Sequence, residues 1–214
     1  MKKRNILLTT VLFTVILFTG CASKQKIKKE RSENFIADID QFSIGEFHLY
    51  TRMTISAPKI SDFSFSFIPR TNNIAIRTKI TPDYVQLFFS YAERQKLKKA
   101  ADEYLDNYNN GLIKNEKPTK KNAFYTSNIP CSWGMLGYSH DIQVTYSTNI
   151  EYLEPDKPYF RLKFNSITDP EDGSTSPAFS IYISPAQWEQ ICEMCDQAAL
   201  EAQIDEILEE AEAF

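Results

Sequence analysis

Glycine is scarce: 6 occur in 214 residues and none stands in GxGxxG or P-loop order, so no glycine-rich loop is available to cradle a nucleotide phosphate. Histidine is scarcer, with His48 and His140 the 2 present, and neither lies in a nucleophile-elbow or other triad context. His140-Asp141 reads as an ordinary loop or strand-end pair. No catalytic residue and no cofactor are expected, and the chain reads as non-enzymatic. A long apolar run is also missing. The longest, Ile6 to Phe18, is shorter than the roughly 17–25 residues that span a bilayer core, which excludes a permanent helical anchor there.

What the N-terminus does contain is ordered. Met1-Lys2-Lys3-Arg4 is basic, Ile6 to Phe18 is apolar, and Thr19-Gly20-Cys21 ends in small residues, the three parts of a bacterial export signal. Cys21 directly after Gly20 resembles the lipobox of bacterial lipoproteins, with Phe18 where leucine usually stands and Leu17 one position early. The resemblance implies that residues 1–20 are removed and that Cys21 is acylated as the mature N-terminus. The protein would then sit in the cell envelope, facing periplasm or surface, with the membrane as its partner through the lipid. Ala22 is similar to the residue following the cysteine in lipoproteins released from the inner membrane.

Of 4 cysteines, assigning Cys21 to lipid leaves Cys131, Cys192 and Cys195, an odd number that argues against a disulfide-stapled scaffold. Cys192-Glu193-Met194-Cys195 has the form of a dithiol or metal pair, to which Cys131 could add a ligand. It lies well past the helix start at Ser184, where the dipole no longer favours a thiolate. Buried core thiols are the leading reading over a disulfide or a metal site, and no metal is assigned.

Charge is unevenly spread. Residues 22–121 hold 18 Lys+Arg against 12 Asp+Glu, and residues 122–214 hold 3 against 16. The two halves attract, within one chain or between copies, and the basic half could also meet an anion. Residues 21–33, rich in lysine and poor in apolar side chains, read as a lipidated flexible tether.

Alternating patterns predict strands at Phe35–Ile39, Phe47–Ile55, Phe63–Phe67 and Ile74–Ile80. Thr81-Pro82 then reads as a helix cap, with an apolar stripe from Val85, Phe88 and Phe89 to Leu97, Ala101, Tyr104 and Tyr108, ended by Asn109-Asn110-Gly111. Lys114 to Asn122 is a linker. Strands follow at Phe124–Ile129, Ile142–Tyr146, Phe160–Phe164 and Phe179–Ile183, with a turn at Asp169 to Gly173. Ser184-Pro185-Ala186-Gln187 then opens an acidic helix with capping-box spacing. A shift of 103 residues aligns Ile76 with Phe179, Ile80 with Ile183, Thr81-Pro82 with Ser184-Pro185, and Phe88 with Ile191. The expected fold is therefore α+β, with two ββββα repeats at 34–113 and 123–214 joined by 114–122, each an antiparallel sheet followed by a long helix.

Phe160 to Phe164, the turn at Asp169 and the segment Phe179 to Ile191 resemble the last strands and helix of ββββα modules of the transcriptional-coactivator, Whirly and PUR type. That resemblance implies a sheet face for single-stranded nucleic acid. The acidic, exported second half disfavours nucleic acid, since phosphate neutralisation dominates such affinity. The leading expectation is a non-catalytic binding or structural module of the envelope, with an envelope protein or a second copy as partner. The alternative is a sheet-face binder of single strands or other polyanions through Arg52, Arg77 and Lys79. Trp133, in a glycine-bracketed apolar stretch, is a loop cap over the core or an exposed contact. Phe214 resembles the last residue of outer-membrane barrels, but an acidic helix precedes it in place of a closing strand.

Overall fold

The computed structural model describes residues 31–54, 56–80, 82–135 and 139–213. The leader, Cys21 and most of the expected tether, along with Ile55, Thr81 and Phe214, lie outside these residues.

Eight antiparallel strands close into one barrel in simple sequence order: β1 (Phe42–Met53), β2 (Lys59–Ile68), β3 (Asn73–Ile80), β4 (Asp83–Phe89), β5 (Tyr125–Gly134), β6 (His140–Glu154), β7 (Lys157–Phe164) and β8 (Phe179–Ile183). Helix α1 (Tyr91–Asn109) joins β4 to β5, and α2 (Pro185–Met194) and α3 (Gln197–Glu212) follow β8. This overturns the expected pair of separate four-stranded sheets. Leu87 of β4 pairs with Cys131 of β5, and Tyr182 of β8 pairs with Tyr50 of β1, so the two halves share one continuous wall. Closure pairs every strand on both sides over part of its length.

The wall follows from period-2 alternation. Phe63, Phe65 and Phe67 of β2 point inward with Ile74, Ile76 and Ile80 of β3, Leu87 and Phe89 of β4, and Phe160, Leu162 and Phe164 of β7. Glu46, His48, Arg77, Lys79, Asn128, Gln143 and Lys163 are exposed on the other face. An apolar bore and a polar exterior are the reverse of an outer-membrane barrel, whose outward band is apolar. No described helix is long and apolar enough to cross a membrane. Pro130, which has no amide hydrogen, sits in β5 just beyond the end of its pairing with β4 at Cys131.

Two sequence expectations fail at β4 and at the N-terminal strand. Val85, Leu87 and Phe89 are buried on the bore side of a strand, not on a helix face, and the helix starts only after Ser90, whose hydroxyl accepts from the Glu93 amide. Thr81-Pro82 therefore has no equivalence to Ser184-Pro185, which caps α2 with both capping-box bonds formed. Phe35–Ile39 forms no strand. Its one bridge is Ser32 to Phe35, while Ile36 enters the core through a bond from its amide to Pro69 O. The last helix is also interrupted. Cys195 ends α2, and Asp196 starts α3 by accepting from the amides of Ala198 and Ala199.

All three helices lie at one end of the barrel. β4 and β8 both finish at the end where β1 begins, as the pairs Ile74 with Phe89 and Phe42 with Phe67 require. Tyr104 of α1 donates to Pro158 O and packs 5.4 Å from the Phe160 ring, and Trp188 of α2 packs 5.3 Å from the same ring. Gly45, beside a bulge in β1, lets α2 approach closely: a Cβ there would lie 2.5 Å from the Met194 sulfur. At the opposite end Trp133 and His140 stack, with ring centroids 4.3 Å apart.

Candidate functional site: an apolar chamber under the helices

An eight-stranded barrel has a bore that side chains can just fill or that one small ligand can occupy. Here it is filled at most levels by stacked aromatics, such as Tyr146 on Phe164 and Phe164 on Phe179. Filling stops under the helices. A chamber of about 180 Å³ lies between the barrel floor, where Leu49, Phe65, Ile74 and Leu87 line it, and the roof formed by Leu97, Trp188 and Ile191. Lys98, Cys192 and Asp196 line it where α1 meets α2 and α3.

Arg94 is set into this roof and is 9% exposed. It sits on the same face of α1 as Leu97, Ala101 and Tyr104, at three- and four-residue steps, so the helix carries its guanidinium inward with the apolar stripe. Its terminal nitrogens donate to Asn72 O and Oδ1, to Cys195 O and to Gln197 Oε1. All four acceptors are neutral. Desolvation accordingly pulls its pKa below the usual arginine value. Arg94 Nε is buried without a partner, as is the indole Nε1 of Trp188 in the same lining.

Burial also raises the thiols. Desolvation pushes Cys192 up to about 11, and Cys195 and Cys131 up to about 12, from an ordinary value of 9.0. All three are free thiols; Cys131 is buried, whereas Cys192 and Cys195 are half-buried and not the fully buried core thiols expected. Beside the chamber, Glu93 is buried and its two carboxylate oxygens accept from Tyr146 at 2.7 Å and Tyr125 at 3.0 Å.

The residues singled out from sequence are not brought together. Arg52 is bound to Glu151, which also takes Arg161, and lies over the Tyr182 ring on the outer wall. Arg77 and Lys79 share the ring of Tyr84 on the outside of β3 and β4, at 4.6 and 5.6 Å. Trp133 belongs to β5, not to a loop, and is buried against His140. Cys21 lies outside the described residues. His140 meets Asp169 at 2.8 Å instead of the adjacent, exposed Asp141. With Asp172 the pair forms a group whose ligand atoms lie within 4.8 Å of one another. The contact from His140 to Asp169 is of hydrogen-bond length, and Asp169 also accepts from the Glu171 amide, so the group fastens the β7–β8 loop to β6.

Arg94 was legible only as one of several basic residues on α1. Its place in the stripe Arg94, Leu97, Ala101, Tyr104 was the available signal. Asn72, Glu93 and Gln197 carry no such signal, because their partners are remote in sequence.

Comparison with known proteins is consistent in one direction. The sequence profile of a family described as "Uncharacterised Treponema protein" matches residues 24–202. An uncharacterized protein of Treponema pallidum (strain Nichols) is 29% identical over 153 residues, which cover 72% of this chain and 56% of the relative's own length. The chain thus spans little more than half of that relative. No solved structure matches.

Proposed function

We propose that this chain, which belongs to the Treponema family just described, is a lipid-anchored envelope protein whose barrel is a non-catalytic binding module for a small apolar ligand. The observation that carries the binding role is the chamber of about 180 Å³ under the helices. It slightly exceeds an engineered apolar cavity of about 150 Å³ that stays dry and takes up benzene. The envelope address is supported by the three-part leader and the lipobox-like Cys21. The guanidinium of Arg31, the first described residue, is bound to Glu201 and Asp205 of α3.

Two measurements test the two parts. Mass spectrometry of the native protein should show a diacylated or triacylated chain starting at Cys21; an unmodified chain starting at Met1 defeats the anchor. Medium-chain apolar compounds, among them octane, octanol, octanoate and indole, should raise the melting temperature and shield Cys192 from alkylation. If none does either, the binding role falls. The polyanion alternative has one observation in its favour, the exposed pair Arg77 and Lys79 around Tyr84. Filter binding at two salt concentrations decides it: no salt-dependent retention of single-stranded DNA removes that reading.

A further inference from the structure

We infer that the ligand of the chamber is an acid: a medium-chain carboxylate whose apolar tail fills the bore side and whose head meets Arg94. This rests on the binding role proposed above and adds the chemical class of the ligand. Three observations support it together.

The first is charge. A guanidinium with this little exposure is normally paired with a carboxylate, because an uncompensated buried charge is expensive. Among the described residues Arg94 has no carboxylate partner, its acceptors being Asn72, Cys195 O and Gln197, although the helices around it are rich in Asp and Glu. The nearest acid in the lining, Asp196, is engaged by the amides that start α3. Lys98, the other cation of the lining, is paired with Asp102. An arriving anion therefore finds one buried cation with no charged partner of its own.

The second is hydrogen-bonding sense. Arg94, the buried cation of this lining, offers only donors, so a ligand head that supplies acceptors suits it and an amine does not. Arg94 is also held in place before any ligand arrives, by four bonds through its terminal nitrogens and by the rings of Phe67 and Tyr91 at 5.8 and 5.6 Å. The guanidinium is thus preorganised.

The third is size. By comparison with cavities of known capacity, about 180 Å³ accommodates a tail of roughly six to eight carbons. On the bore side the walls are Leu49, Phe63, Phe65, Ile74, Leu87 and Phe89, which offer an alkyl tail dispersion and burial, while the polar residues of the lining stand where the helices meet.

The experiment is calorimetric titration of the full chain with octanoate, octanol and acetate at pH 7.5, with Cys192 alkylation followed in parallel. Octanoate should bind and protect Cys192, octanol should bind about tenfold more weakly or worse, and acetate should not bind, since the charge-assisted bond and the buried tail are both required. Arg94→Lys should weaken octanoate. If that variant does not fold, the comparison of octanoate with octanol on the unaltered chain still decides. Equal affinity for octanoate and octanol overturns the acid assignment while leaving an apolar-ligand module standing. Absence of binding by either compound overturns both.

Discussion

Arg94 Nη2 donates to the side-chain oxygen of Asn72 at 2.7 Å, and Asn72 is held at a φ of 50°, the only positive φ outside glycine among the described residues. The same amide side chain donates to Glu33 O, so Asn72 joins the chain entering the barrel to the roof of the chamber. Asparagine tolerates this left-handed conformation better than most residues, and it supplies both bonds. Asn72→Gly loses the bonds and keeps the backbone; Asn72→Ala loses the bonds and adds strain of about 1–2 kcal/mol. Urea unfolding should rank wild type above Asn72→Gly, and Asn72→Gly above Asn72→Ala. An alanine variant as stable as the glycine variant would remove the conformational part of this account.

Alkaline pH should weaken the fold. Burial raises the pKa of Cys192 to about 11 and of Cys131 and Cys195 to about 12, and it raises Tyr104 and Tyr146 as well. The unfolded thiols ionise near 9.0, so above that pH the unfolded state has released protons that the native state still holds. The stability of unfolding then falls with rising pH, while below about pH 8 these groups contribute a flat line. Denaturant midpoints from pH 7 to 10.5 should decline only above about pH 9, and Cys131→Ala should flatten the decline. A midpoint that rises across this range contradicts the assignment.

Among the described residues, the buried side chain of Glu93 is held by two tyrosine hydroxyls and no cation. Its two bonds come from Tyr146, which is fully buried, and Tyr125, which is half-buried. Removing a donor from a buried charged acceptor costs about 1–3 kcal/mol, and less where water can replace it. Tyr146→Phe should therefore lower stability by about that amount, and Tyr125→Phe by under about 1 kcal/mol. The reverse order in thermal or urea unfolding would mean that water reaches the Tyr146 side of the carboxylate.

Seven of the eight strands were legible because their alternation is strict, as in Phe63, Phe65 and Phe67, where serine fills the outer positions. β4 was not, because its outer positions Tyr84 and Phe88 are aromatic too. Tyr84 to Phe89 then reads equally well as one side of a helix continuing into Ala92 and Leu97. The capping box at Ser184 was legible, being local. Closure was not: whether eight strands form two sheets or one barrel depends on the pairs Leu87 with Cys131 and Tyr50 with Tyr182, and no local pattern encodes them. The chamber inherits that obscurity. It exists only where the barrel floor meets three helices, so the sequence alone does not set Arg94 apart from Lys96, Lys98 and Lys99 on the same helix.

At the far end, His140 and Asp169 hold the long β7–β8 connection against the barrel. His140 is 7% exposed, stacks on Trp133, and meets the Asp169 carboxylate at 2.8 Å; Asp169 in turn accepts from the Glu171 amide and sets the turn that Gly173 completes at a φ of 77°. Neither residue is near the chamber, so this clasp should govern stability and not binding. His140→Phe keeps the stacking on Trp133 and leaves Asp169 without its ring partner, which should cost about 1–3 kcal/mol. Asp169→Asn keeps an acceptor and should cost less. In the double variant the two effects should be less than additive, with a coupling of about 0.5–3 kcal/mol, because both act on one contact. Octanoate affinity should be unchanged in all three. Additive losses would show that the two side chains stabilise the barrel end independently, and a change in octanoate affinity would show that the two ends of the barrel are coupled.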